Sequence, residues 1–164
     1  MTSFDYIIVG AGSAGCVLAA RLTESGRHRV LLLEAGGHDR HPWLHIPVGY
    51  GKLFTNKRFN WLYASEPEPE LGNRQIIQPR GKVLGGSSAI NGLIYIRGQA
   101  QDFDHWRQLG NTGWSFEDVL PYFRKAEDQE RGADALHGSG GPLAVSDARD
   151  RHPLGEAFLA AAAA

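Results

Sequence analysis

Two glycine-rich segments carry the residues of this chain best suited to chemistry. The first, Gly10-Ala11-Gly12-Ser13-Ala14-Gly15, is a G-x-G-x-x-G pattern. In such a pattern Gly10 permits a tight turn, Gly12 lets the backbone approach a pyrophosphate, and Gly15 lets a helix pack closely on a strand. Unpaired amides at the start of the following helix, aided by its dipole, would receive the phosphate. Glu34 stands about 20 residues beyond the last glycine, where a carboxylate can accept from ribose hydroxyls and repel a 2'-phosphate. The plainer alternative is that the glycines only make a turn and Glu34 is only solvated.

The second segment runs from Gly81 to Asn91, Gly-Lys-Val-Leu-Gly-Gly-Ser-Ser-Ala-Ile-Asn. Gly85 and Gly86 would admit a close backbone approach to a ring, Ser87 and Ser88 could donate to phosphate or ribityl oxygens, and Asn91 offers donor and acceptor together. Arg80 and Lys82 add positive charge beside an anionic ligand, although either could be an ordinary solvated residue. A flexible glycine-serine connector would lack the apolar anchors Val83, Leu84, Ala89 and Ile90. NAD and FAD share an ADP half, so the first loop does not separate them. A second loop implies a ligand too long for one helix N-terminus, and FAD fits best.

The elements that must position these loops follow from the flanking patterns. Tyr6-Ile7-Ile8-Val9 and Arg29-Val30-Leu31-Leu32-Leu33-Glu34 read as buried strands of a parallel sheet. Between them Ala14, Val17, Leu18 and Leu22 form a helical stripe that Gly26 would end, completing a βαβ unit with a right-handed crossover. From Gly36 to Asn60 the pattern loosens into loop and one short helix, interrupted by Pro42 and Pro47. Trp61 to Ala64 and Gln75 to Gln78 read as two strands around a Gly72-Asn73 turn.

Beyond the second loop, Phe103, Trp106 and Leu109 mark a helix opened by Asp102. Ser115-Phe116-Glu117-Asp118 matches a capping box for another, in which Pro121 should cause a kink or a delayed start. Residues 127 to 142 read as a surface connection, Pro142 to Ser146 as a strand, and Pro153 onward as a helix that runs through Ala160 to Ala164 without a stop signal. The aromatic series Phe103, Trp106, Trp114, Phe116 and Phe123 reads as core rather than a stacking platform.

Composition narrows the partners. A formal charge of -1 and a pI near 6.6 give no basic field for nucleic acid or an anionic membrane. Cys16 is the only cysteine, which fits a reducing compartment, and its place in a helix suggests inert packing. The start at Met1-Thr2-Ser3 lacks a basic signal region, and the longest apolar run, Ala157 to Ala164, is too short to span a bilayer. These features suggest a cytoplasmic protein. His38, His41 and His45 have ligand-like spacing, but no cysteine or paired carboxylate completes a metal set. Gly-Gly-Ser-Ser-Ala lacks the nucleophile elbow of a serine hydrolase.

Taken together, Gly10 to Gly15, Leu33-Glu34-Ala35-Gly36, Asn60-Trp61, and Gly81 through Asn91 with Tyr95, Arg97-Gly98 and Asp104 resemble the glucose-methanol-choline oxidoreductases. This is a family of FAD-dependent alcohol dehydrogenases and oxidases, and the resemblance runs nearly end to end. It implies an α/β Rossmann-type FAD-binding domain over residues 1–140, with a flavin loop at 80–98. His137-Gly138 and Gly141-Pro142-Leu143 look like the approach to that family's substrate domain, so residues 141–164 would be its incomplete beginning.

The resemblance places Gly10, Gly12, Ser13, Ala14, Gly15, Glu34 and Ala35 at the ADP half of FAD, and Val83, Gly86, Ser87, Asn91, Gly92, Leu93 and Ile94 at the flavin half. Some members link FAD through a histidine just before the asparagine; here that position is Ile90, which implies non-covalent FAD. The implied substrate is a small alcohol, leaning toward choline or an aliphatic alcohol, oxidised by hydride transfer to flavin N5. The family's catalytic base, a histidine near a second histidine or asparagine, belongs to a far C-terminal part that nothing here matches. The electron acceptor could be oxygen, a quinone or a carrier, and a quinone would admit peripheral inner-membrane association. A non-catalytic flavin-binding module and an NAD-dependent dehydrogenase are the competing readings.

Overall fold

The computed structural model describes residues 3–163. Met1 and Thr2 of the expected signal-free start, and the final alanine of the expected last helix, lie outside the described residues. Contacts divide the chain into two compact units, the first ending at Ile94 and the second beginning at Tyr95.

The first unit opens with β1 (Tyr6–Val9), α1 (Ser13–Thr23) and β2 (Val30–Leu33). β1 and β2 pair in parallel, Tyr6 opposite Val30 through Val9 opposite Leu33, which is the expected βαβ unit. The strands are not buried, however: Ile7 is 62% and Val9 84% exposed. Their apolar content suits a strand covered on both faces, yet the sheet has two strands and α1 is the main element packed on it among the described residues. For the same reason Val17 and Leu18 of the helical stripe are exposed, and so is Cys16, which sequence alone suggested was packed.

The core of this unit lies in the excursion instead. Between β2 and the next strands come α2 (Pro42–His45), a 3-10 turn at Pro47–Gly49 and α3 (Tyr50–Leu53), more helix than the one short piece expected. Leu53 and Phe59 from this region pack with Val83 and Ile90 of the second glycine segment, each at most 2% exposed. The excursion therefore supplies the apolar floor on which that segment rests. β3 (Tyr63–Ala64) and β4 (Ile77–Gln78) pair antiparallel, shorter than the strands expected. Asn60 and Gly81 extend that ladder through one bridge.

In the second unit α4 (Ala100–Gln108) opens three residues earlier than expected, at Gln99 rather than Asp102. Gln99 is its N-cap, and the carboxylate of Asp102 accepts the Gln99 amide at 2.9 Å as the return half of a capping box. α5 (Phe116–Ala126) is capped by Ser115 and Asp118 as expected, and it runs through Pro121 without a delayed start. The aromatic series forms one edge-on cluster around buried Phe103, with Trp106 and Trp114 exposed at its rim. α6 (Pro153–Ala162) follows His152, whose ring nitrogen accepts the Leu154 amide.

The expected surface connection after α5 is a correction. It begins with β5 (Glu127–Gln129), parallel to β6 (Leu143–Val145), and Glu127 is fully buried. One Glu127 oxygen accepts from the Arg97 guanidinium and from the Gly138 amide at 3.1 Å, and the other accepts from Gln129 at 3.3 Å. Arg97 also donates to the Leu136 carbonyl at 2.6 Å and lies over the Phe123 ring at 5.0 Å. Charge composition suggested solvent, and pairing allowed burial.

Candidate functional site

The site is built in the first unit from the end of β1 upward. The Gly10 amide donates to the Leu33 carbonyl at 2.7 Å, which fixes the turn at the sheet's end. A Cβ on Gly15 would stand 1.9 Å from the Gly10 carbonyl oxygen, so only glycine lets α1 pack here. Gly12 caps α1 with no side-chain hydrogen bond, and no acidic residue sits in the first turn. The first chain bond of the helix runs from the Cys16 amide to the Gly12 carbonyl, which leaves the Ser13, Ala14 and Gly15 amides ahead of any i→i−4 partner.

Glu34 ties this loop to the sheet. One carboxylate oxygen accepts the Ala11 amide at 2.8 Å and the other accepts the Gly36 amide at 2.8 Å. Each oxygen keeps a second lone pair, and Glu34 lines the cleft, so tethering the loop is compatible with meeting a hydroxyl.

The second glycine segment sits directly on the first. The Gly85 amide donates to the Ala11 carbonyl at 2.8 Å, and a Cβ on Gly86 would fall 2.9 Å from the Gly12 Cα. Gly86 also has φ +57°, so glycine is required there twice over. A 3-10 turn over Gly86–Ala89 follows. Ser88 donates its hydroxyl to the Gly85 carbonyl at 2.6 Å, whereas Ser87 accepts the Gly81 amide at 3.1 Å and keeps its proton available.

Together the two segments enclose a cleft of about 660 Å³, a size ordinary for a small-molecule site. Of the predicted residues, Gly10, Gly12, Ser13, Glu34, Ala35, Gly86 and Ser87 line it. Ala14 and Gly15 stand in the helix behind it, and Val83 is fully buried in the floor. Asn91, Gly92, Leu93 and Ile94 are exposed and away from the cleft, with the Asn91 side chain accepting the Leu93 amide at 3.0 Å. Arg80, which the sequence offered as a charge beside an anionic ligand, lines the cleft, and so does Trp61, which was not predicted to do so and for which the Asn60-Trp61 pair was the available signal.

These residues fit a dinucleotide. A Cβ on Gly12 would meet no atom within 4 Å, so its absence opens space in front of the helix amides rather than relieving a clash. Two of the three histidines of the excursion have local partners. His41 accepts the Trp43 amide at 3.3 Å and its ring lies 5.1 Å from that of Phe59, while His45 bonds the Asp39 carbonyl.

Comparison with known proteins places the chain. The family model for GMC oxidoreductases matches residues 4–164. Among curated relatives, an oxygen-dependent choline dehydrogenase of Sinorhizobium fredii is 51% identical over 96% of this chain, and one of Photobacterium profundum is 48% identical over 96%. The chain spans only 29% and 28% of those relatives' lengths. Among solved structures, pyridoxine 4-oxidase from Mesorbium loti superposes with a TM-score of 0.92 at 38% identity, covering 98% of this chain and 32% of that one. An FAD-dependent oxidoreductase from Chaetomium thermophilum superposes with a TM-score of 0.82 at 32% identity, covering 98% and 29%. A match of this extent in sequence and fold means that the chain belongs to the glucose-methanol-choline (GMC) oxidoreductase family.

Proposed function

We propose that this chain holds FAD non-covalently and forms the cofactor-binding part of an oxidoreductase acting on the CH–OH group of a small alcohol. The observation that carries the reading is the seating of the second glycine segment on the first, which makes one cleft of two loops. A nicotinamide-dependent dehydrogenase would use the first loop and leave the second without a ligand.

Bound FAD would supply a hydride acceptor at flavin N5. The chain's own residues bind and orient. The Ser13, Ala14 and Gly15 amides offer donors to phosphate, Glu34 faces the ribose while bracing the loop, and Ser87 offers a hydroxyl proton. Asn91 to Ile94 are assigned to the flavin half by family resemblance, and Leu93 and Ile94 among them carry exposed apolar side chains. Ile90, where some members carry a linking histidine, is 2% exposed in the core and has no nucleophilic atom. The catalytic base is assigned by the same resemblance to a C-terminal histidine region of the family rather than to the residues that line this cleft.

Choline or an aliphatic alcohol is the substrate favoured by the choline dehydrogenase relatives, and residues 1–140 and 141–164 are assigned to cofactor-binding and substrate domains by the same resemblance. No helix among the described residues is long and apolar enough to cross a membrane; a cytoplasmic setting is our reading, with oxygen, a quinone or a carrier as acceptor. The test is to purify the protein and precipitate it with acid. A yellow preparation whose flavin moves to the supernatant supports the proposal, and flavin retained in the pellet defeats the non-covalent part. Tighter binding of NAD than of FAD would defeat the whole.

A further inference from the structure

We propose that Arg80 is the cationic ligand of the cofactor's pyrophosphate and that Asn60 is the residue that positions it. The inference rests on the dinucleotide reading above and assigns a contact outside the residues that reading used.

Charge is the first argument. The pyrophosphate of a dinucleotide carries two negative charges at neutral pH, and the cleft lining holds one carboxylate, Glu34, and one cation, Arg80. The N-terminus of α1 contributes only about half an elementary charge. Without Arg80 the anion would enter a cleft whose full charge is Glu34's. The guanidinium has five donors in a rigid fork, which suits two oxygens of one phosphate.

The structure also separates the two cations that flank the second loop. Lys82 places its ammonium 4.4 Å from the centre of the Trp61 ring. Arg80 has no carboxylate within 4.0 Å and no side-chain hydrogen bond among the described residues, and it faces the cleft. One cation is engaged by an aromatic face, and the other lines the same cleft as Gly12 and Ser13 at the start of α1.

Asn60 accounts for Arg80's position. It is 2% exposed, and its oxygen accepts the Arg80 amide at 3.0 Å and the Leu62 amide at 2.9 Å, while its amide group donates to the Phe54 carbonyl at 2.9 Å. The Trp61 amide donates to the Arg80 carbonyl at 2.9 Å, so Arg80's backbone is held on both sides. Leu62 sits at φ +54°, a conformation that costs a non-glycine residue and that the bond to Asn60 sustains. A buried amide bonded through both its oxygen and its nitrogen favours one geometry.

The test measures binding of FAD and ADP to the 164-residue chain stripped of flavin, across a range of salt concentrations, for wild type, Arg80→Gln, Arg80→Lys and Asn60→Ala. Arg80→Gln should weaken both ligands by roughly 10- to 100-fold, the span of a hydrogen-bonded charge, and flatten the fall of affinity with salt. Arg80→Lys should restore the salt dependence and part of the affinity. Adding Asn60→Ala to Arg80→Gln should cost no further affinity, because a positioning residue has nothing left to position. Unchanged FAD affinity in Arg80→Gln, a loss with the salt dependence intact, or a loss for FAD but not for ADP would each overturn the assignment. Wild-type protein that binds neither ligand would instead sink the dinucleotide reading itself.

Discussion

Both units use close backbone approach at glycine, with Gly138 against Arg124 and Gly141 against Ala126 in the second, and they differ in the polar groups that staple them. In the first, backbone meets backbone at glycine: Gly15 against Gly10, Gly86 against Gly12, and Gly36 against Lys82, where a Cβ would fall 2.1 Å from the Lys82 carbonyl carbon. Its polar staples, Glu34 and Asn60, likewise act on main-chain amides. In the second, one side-chain ion pair, Arg97 with Glu127, gathers β5, Gln129 and the loop through Leu136 and Gly138. The difference follows from use. A site that reads phosphate needs its main-chain groups held in place, and the first unit's staples act on those, whereas the second unit is stapled by a side-chain charge pair.

That contrast predicts effects of decreasing size. Glu127→Ala leaves the Arg97 guanidinium buried without its partner and should cost about 3–5 kcal/mol; urea unfolding followed by hydrogen exchange at β5 and β6 would show it, and a loss below ~1 kcal/mol would mean that the pair is not the anchor. Gly86→Ala adds a Cβ against the Gly12 Cα at positive φ. Overpacking of this kind costs about 1–3 kcal/mol, and the flavin content of the purified protein should drop; full flavin occupancy would break the idea that close approach builds the cleft.

Ser115→Ala removes one cap of α5 and should lower stability by about 1 kcal/mol, seen as a small shift of the thermal midpoint with no change in flavin binding. The smallest effect concerns acid. The His137 ring and amide and the Leu136 amide donate to Asp134 and hold its carboxyl at about 2, below its ordinary 3.8. Its contribution is thus fully present above the unfolded value and is lost as pH falls through about 2. Thermal melts from pH 5 downward should show this component, and Asp134→Asn should lack it.

Much of the fold was legible because its signals are local. The capping box at Ser115 and the strand-turn-helix around Gly10 depend on residues a few positions apart and took their expected form, while α1 ended at Thr23, ahead of the left-handed Gly26. Burial was less legible. Tyr6 to Val9 has the composition of a covered strand, but coverage depends on what else packs against it. Glu127 failed in the opposite sense: a glutamate among charged and glycine residues reads as solvated unless its partner, 30 positions earlier in the chain, is known.

The site divides in the same way. The residue types and spacing of Gly10 to Gly15, Glu34 and Gly81 to Asn91 determined by themselves that this chain is built around a dinucleotide cleft of the GMC kind, because a backbone that must approach phosphate leaves few alternatives to glycine. Tertiary structure alone decided that the second loop rests on the first, that Glu34 spends its oxygens on the Ala11 and Gly36 amides, and that Arg80 rather than Lys82 faces the cleft. Those outcomes depend on which distant groups converge, and a cation's sequence position does not say whether an aromatic ring or an open cleft will meet it.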